Sequence, residues 1–114
     1  MTNPSSSKEK LRAVVPKLVE LIDRDVYGDL WERPELSKRD RSLVTVSALV
    51  AMRQYDQLRS HIEKALDNGV TAQEISELFT HLAIYAGFPA SLSAALIAKP
   101  LFQERGFIPK EEPQ

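Results

Sequence analysis

The chain has 114 residues, of which 43% are hydrophobic and 27% charged, a balance that suits one small globular domain and is too apolar for a disordered one. Fifteen basic against sixteen acidic side chains leave a net charge of -1, so no overall field draws the protein to nucleic acid or to an anionic membrane. The absence of cysteine excludes disulfides, a thiolate nucleophile and thiolate metal sites, and a domain of this size is expected to gain stability by self-association.

Residues 1–8 read as a flexible leader, polar and carrying Asn3-Pro4 and three serines. They contain no apolar core of signal-peptide length, and no run approaches a membrane span, so a cytoplasmic location is the default expectation. From Lys8, Leu11, Val14, Val15, Leu18, Val19, Leu21 and Ile22 recur at helical spacing and predict a helix to about Val26, with Pro16 either kinking it or lying near its first turn. Gly28 ends that helix, and Trp31, Pro34 and Leu36 lie in a connection. Ser37 is an N-cap candidate, with Asp40 able to return the hydrogen bond. The second helix is predicted over Ser37 to Met52; its middle, Leu43 to Met52, is apolar on nearly every side, the mark of a helix covered by neighbours or by another subunit.

Leu58, Ile62 and Leu66 form an i, i+4, i+8 stripe on a third helix, which Asp67-Asn68-Gly69 stops. Thr71 and Glu74 make a Thr-x-x-Glu capping box ahead of Ile75, Leu78, Phe79, Leu82 and Tyr85, and Gly87 and Pro89 close this helix. Ser91 opens the last one, with Leu92, Ala95, Leu96 and Ala98, and Pro100 disturbs it. No segment alternates as a strand bounded by hairpin turns. The expected class is all-α, a single-domain bundle of about five helices over residues 9–106, followed by a polar tail over 107–114.

Two histidines are candidates for chemistry. His61 borders the buried stripe of its helix, and His81 shares a face with Leu78 and Tyr85; each reads equally as an ordinary, partly buried imidazole. They stand twenty residues apart with no His-x-x-x-His or Glu-x-x-His pair, so no metal site is expected. The four glycines are scattered, which excludes a phosphate-cradling loop. Arg33, Lys38, Arg39 and Arg41 gather at the start of the second helix beside Trp31. A basic cluster is often only a solvated surface, but guanidinium groups at a helix start suit a carboxylate.

Read in order, Gly28-Asp29-Leu30-Trp31-x-Arg33-Pro34, Arg41-Ser42-Leu43-Val44-Thr45, His61-Ile62-x-x-Ala65-Leu66-x-Asn68-Gly69-Val70-Thr71, Glu74-Ile75 and His81-x-Ala83-Ile84-Tyr85-Ala86-Gly87-x-Pro89-Ala90 resemble the carboxymuconolactone decarboxylase family, within the alkyl hydroperoxidase D-like superfamily. The resemblance implies an all-helical subunit assembling as a homotrimer or homohexamer. Thiol members of the superfamily carry Cys-x-x-Cys-x-x-x-His at the junction that reads Gln54-x-x-Gln57-x-x-x-His61 here, so a peroxidase lacks its nucleophile. The resemblance implies instead the cysteine-independent branch, which decarboxylates 4-carboxymuconolactone in aromatic-acid catabolism without metal or organic cofactor.

On that reading Arg33, Arg39 or Arg41 holds substrate carboxylate, Trp31 and Tyr85 shape the pocket, and His61 or His81 stabilises the oxyanion or returns a proton to carbon. His61 is the favoured donor and His81 the second polar contact. The alternative is an oligomeric member of the family that is non-catalytic or acts on another substrate. A small carboxylated molecule and further copies of the chain are the expected partners, with neither nucleic acid nor membrane among them.

Overall fold

The structure is a computed structural model that describes residues 7–111, and every regular element among them is helical. Of the expected leader and tail, residues 1–6 and 112–114 lie outside the described residues. The helices fall into two compact units, one ending at Ser37 and the other beginning at Lys38.

The first unit holds α1 (Ser7–Val14) and α2 (Pro16–Leu21), a π-helical turn over Ile22–Tyr27 and a 3-10 turn over Leu30–Glu32. The sequence pattern predicts one helix here, and Pro16 divides it: its ring disfavours helical geometry at the preceding residue, and Val15 adopts φ -131°, ψ 64°. Pro16 then occupies the first turn of α2, where its missing N–H leaves no helical bond unmade. Lys8 and Arg12 of α1 both reach Asp23 in the π turn. Gly28 closes that turn because a Cβ would stand 2.6 Å from the carbonyl oxygen of Arg24 and 2.8 Å from that of Asp23.

The second unit comprises α3 (Lys38–Ala51), α4 (Tyr55–Asp67), α5 (Ala72–Ala86) and α6 (Phe88–Glu104). α3 packs on α4 and α5, and α6 packs on the same two helices. Val46 and Val50 of α3, Leu58, Ile62 and Ala65 of α4, Ile75 and Phe79 of α5, and Ala90, Ala94, Ala98 and Leu101 of α6 form the core. The alanines let α6 approach closely, while the full burial of Leu58 and Ile62 supplies the apolar transfer energy, about 1.5–3 kcal/mol for each such side chain. α3 is covered on one side within a chain: Ser42, Val46 and Val50 are buried, whereas Val44 and Met52 are largely exposed.

The helix ends follow local chemistry. Gly69 takes φ 101° after α4, with its N–H donating to the Leu66 carbonyl at 3.2 Å, and Asn68 Nδ2 donates to the buried Ser42 Oγ at 3.0 Å, joining this end to α3. The Thr71–Glu74 capping box forms as the sequence predicts: Glu74 N–H donates to Thr71 Oγ1 at 3.0 Å and Thr71 N–H to Glu74 Oε1 at 2.9 Å. Gly87, at φ 104°, alone separates α5 from α6.

α6 starts at Phe88, three residues before the expected Ser91, because Pro89 fits the first turn of the new helix. It also continues through Pro100 to Glu104. The carbonyl freed by Pro100 is that of Leu96, which lies on an exposed side of the helix where water can satisfy it. Beyond it the chain folds back on α6: Phe107 packs edge-on against Phe102, with ring centroids 5.9 Å apart, and Lys99 pairs with Glu111. No helix among the described residues is long and apolar enough to cross a membrane.

Candidate functional site

Arg39 lies in the first turn of α3, and its guanidinium donates to the carboxylate of Glu74 on α5 and, at 3.3 Å, to Asp40. The capping box fixes Glu74 for this contact, because Oε1 is already held by the Thr71 N–H while Oε2 accepts from Arg39. The Thr71 N–H and then Arg39 hold the Glu74 carboxyl below its usual range, and the bond that Arg39 donates to Glu74 raises its own pKa further. Arg41, one residue beyond Asp40, is half-buried and engaged in interactions of its own.

A cavity of about 380 Å³ lies between α3 and α5, walled by Leu43, Leu78 and Leu82 and bearing Ser47, Glu74, Glu77 and His81. Glu74 and His81 are seven residues apart on one helix, roughly 10 Å at the α-helical rise. Glu74, which Arg39 binds, and the His81 imidazole are thus set apart along the cavity wall. His81 is exposed and lies against Tyr85, with ring centroids 5.0 Å apart at 34°. It also lines a larger apolar groove of about 850 Å³ between α5 and α6, formed by Phe79, Ala83, Ile84, Phe88, Leu92 and Leu96 among others.

His61 has different surroundings. It is half-buried on α4 next to the fully buried Ile62, lines neither cavity, and its side chain makes no hydrogen bond among the described residues. Burial, and to a lesser degree the nearby Lys64 charge, push its pKa below the usual imidazole value, so the ring is neutral at pH 7. In the first unit Trp31 packs on Tyr27 with centroids 5.8 Å apart, and Arg33 lies 3.7 Å from Glu35. Among the described residues no group of three or more His, Asp or Glu side chains is arranged to hold a metal.

Most of the chain, residues 16–100, matches the carboxymuconolactone decarboxylase family. The chain belongs to this family. Over 90 residues it is 41% identical to a 4-carboxymuconolactone decarboxylase of Acinetobacter baylyi, a span covering 79% of this chain and 67% of that protein. Over 80 residues it is 35% identical to a nitrosuccinic acid decarboxylase of Metarhizium robertsii, covering 70% of this chain and 56% of that protein. The chain thus spans about two thirds of the length of the first relative and little more than half of the second. Both relatives are decarboxylases, and the family holds here without cysteine: Gln54 precedes α4 and Gln57 lies in its first turn, both exposed.

Of the sequence-predicted residues, the family fold brings His81 and Tyr85 into contact and links Arg39 to the cavity that His81 lines; His61 lies apart from that cavity. Sequence reasoning missed Glu74 as the partner of Arg39, and it missed Ser47 and Glu77 altogether. The capping box gives Glu74 a complete local role, which masks the second. The one available signal was charge, an arginine and a glutamate each standing in the first turn of a predicted helix.

Proposed function

We propose that this chain is a cofactor-free decarboxylase for a small acid whose leaving carboxylate adjoins an electron-withdrawing group, with a carboxylated lactone such as 4-carboxymuconolactone as the first candidate. The observation that carries this reading is the α3–α5 cavity, lined by Glu74, which the Arg39 guanidinium binds, and by the His81 imidazole. The names of the two relatives support the substrate class. In a carboxylated lactone the electrons released with carbon dioxide delocalise onto the lactone carbonyl, and in a nitro acid onto the nitro group. Each substrate is its own electron sink, so the step needs no organic cofactor.

Arg39 has five N–H donors, of which Glu74 and Asp40 use two, so a substrate carboxylate can share the guanidinium without displacing Glu74. Glu74, neutralised by Arg39, then stands beside the bound anion and holds the guanidinium still. Glu77 disfavours a second negative charge further along the cavity, which directs the carboxylate toward the Arg39 end. Electrons that move onto the carbonyl are stabilised by a donor already positioned beside the apolar side chains Leu43, Leu78 and Leu82. We assign the proton returned to carbon to His81, since it shares the cavity with the Arg39–Glu74 pair. His61, favoured on sequence grounds, is the second candidate.

Two substrates tested side by side decide the reading. 4-Carboxymuconolactone consumption is followed by ultraviolet absorbance, and carbon dioxide release from nitrosuccinic acid is measured in parallel. Turnover of either supports the proposal, and no turnover of both at high enzyme concentration removes it. With a turned-over substrate, His81→Ala is expected to lower kcat by about 100-fold, the scale of a lost general acid. Full activity in His81→Ala, with loss in His61→Ala, transfers the role to His61.

A further inference from the structure

We infer that Ser47 donates the hydrogen bond that stabilises the oxyanion formed as carbon dioxide leaves. The role rests on the decarboxylase reading above, which leaves Ser47 the one polar side chain of the α3–α5 cavity without a task. Of the four polar side chains there, Glu74 and Glu77 offer only acceptor oxygens as carboxylates, so the donors are Ser47 and His81. His81 gives its proton to carbon. The oxygen that receives the electrons therefore falls to Ser47.

The register of the two helices sets Ser47 level with His81. Arg39 and Glu74, each in the first turn of its helix, are bonded, and the residues that follow both line one cavity, so α3 and α5 run side by side in the same direction. Ser47 lies eight residues beyond Arg39 and His81 seven beyond Glu74, roughly 12 and 10 Å along their helices. A substrate whose leaving carboxylate sits on Arg39 thus has both groups ahead of it in the cavity.

The Ser47 hydroxyl is held ready for charge. Its Oγ donates to the Leu43 carbonyl at 2.7 Å, and that carbonyl also receives the regular helical N–H of Ser47 itself. Turning the hydroxyl proton toward the cavity leaves no acceptor unsatisfied. Ser47 stands on α3 and Glu77 on α5, so a bond to Ser47 draws the charged oxygen away from that carboxylate. The breaking carbon–carbon bond sends its electron pair to the carbonyl oxygen, which Ser47 holds. The pair returns to carbon as His81 passes its proton, and the exposed imidazole recovers one from water. Because the hydroxyl bonds Leu43 until charge develops, its contribution falls on the transition state and not on substrate binding.

Kinetics and ligand binding test the role separately. With 4-carboxymuconolactone, Ser47→Ala is expected to lower kcat by about tenfold to 100-fold with KM within about twofold of wild type. Ser47→Thr, which keeps the hydroxyl, should recover part of the loss. Unchanged kcat in Ser47→Ala overturns the inference. Tetronic acid, whose anion carries a charged oxygen on a lactone ring, probes the same site without turnover. In amide NMR spectra it is expected to shift the signals of Ser47 and His81, and to bind folded Ser47→Ala several-fold more weakly than wild type. Equal affinity for the two proteins, or no binding to wild type, overturns the role whether or not a substrate has been found. Weaker binding to Ser47→Ala without any turnover keeps Ser47 as the anion donor of this cavity and removes only the decarboxylase reading.

Discussion

At the scale of single residues, the proposed reaction rests on Arg39 and on one of the two histidines. Arg39→Ala is expected to lower kcat/KM by about tenfold to 100-fold through KM, the loss expected for a charge-assisted hydrogen bond to substrate, as steady-state kinetics would measure. Arg39→Lys should recover only part, because an ammonium cannot hold Glu74 and a substrate carboxylate in one plane. His61 makes a separate prediction about pH. Its folded pKa lies below the unfolded value of about 6.5, so as pH falls through that value the unfolded chain takes up the proton first. Stability is therefore unaffected by His61 at pH 7.5 and declines below about pH 6.5 until the folded imidazole also titrates. Urea midpoints at pH 7.5 and 5.5 should differ less in His61→Gln than in wild type, and an equal difference would remove the burial argument.

At the scale of elements, the α5 cap joins stability to the site. Thr71→Ala is expected to cost about 1 kcal/mol, seen in urea unfolding, and also to raise KM, because the Glu74 N–H loses the Thr71 hydroxyl and the first turn that carries Glu74 to Arg39 loosens, although the Thr71 N–H still reaches the carboxylate. Thr71→Ser should restore both. Gly28→Ala should unwind the π turn, since the new methyl group would meet two backbone carbonyls that cannot move independently; loss of helical circular dichroism in the first unit would report it. How far the sequence was legible varies with the range of the interaction. The Thr71–Glu74 box was readable because its four residues carry the whole argument. The helical prolines were less so: Pro16 takes the first turn that was one of its two expected places, whereas Pro89 opens a helix where it was expected to close one, and Pro100 rides within a helix it was expected to disturb. The Arg39–Glu74 pair spans 35 residues, and no local pattern announces it.

At the scale of the whole molecule, the all-α class followed from apolar spacing on every helix, and the ordered motifs carried the family. Spacing could not say which side of α3 or α6 is buried, because both helices are apolar over most of their circumference. Likewise it marked both histidines as bordering apolar faces, yet only packing decides which cavity an imidazole lines. A chain that exposes Ile84, Phe88, Leu92 and Leu96 together should couple folding to association: the Tm of wild type is expected to rise with protein concentration, and that of Leu96→Glu to stay constant, in scanning calorimetry. A concentration-independent wild-type Tm would mean that the folded chain gains nothing from a second copy.

The bond from Asn68 to Ser42 bears on how the protein ages. Asparagine followed by glycine is the sequence most prone to deamidation, because the backbone nitrogen of the glycine can attack the asparagine side chain without steric hindrance. Here that nitrogen is committed to the Leu66 carbonyl and the Asn68 amide is drawn toward Ser42, so the two reacting groups are held apart while α4 keeps its end. The slow appearance of aspartate or isoaspartate at position 68 on storage would thus act as a chemical clock for fraying of that helix terminus. Ser42→Ala should make it run faster.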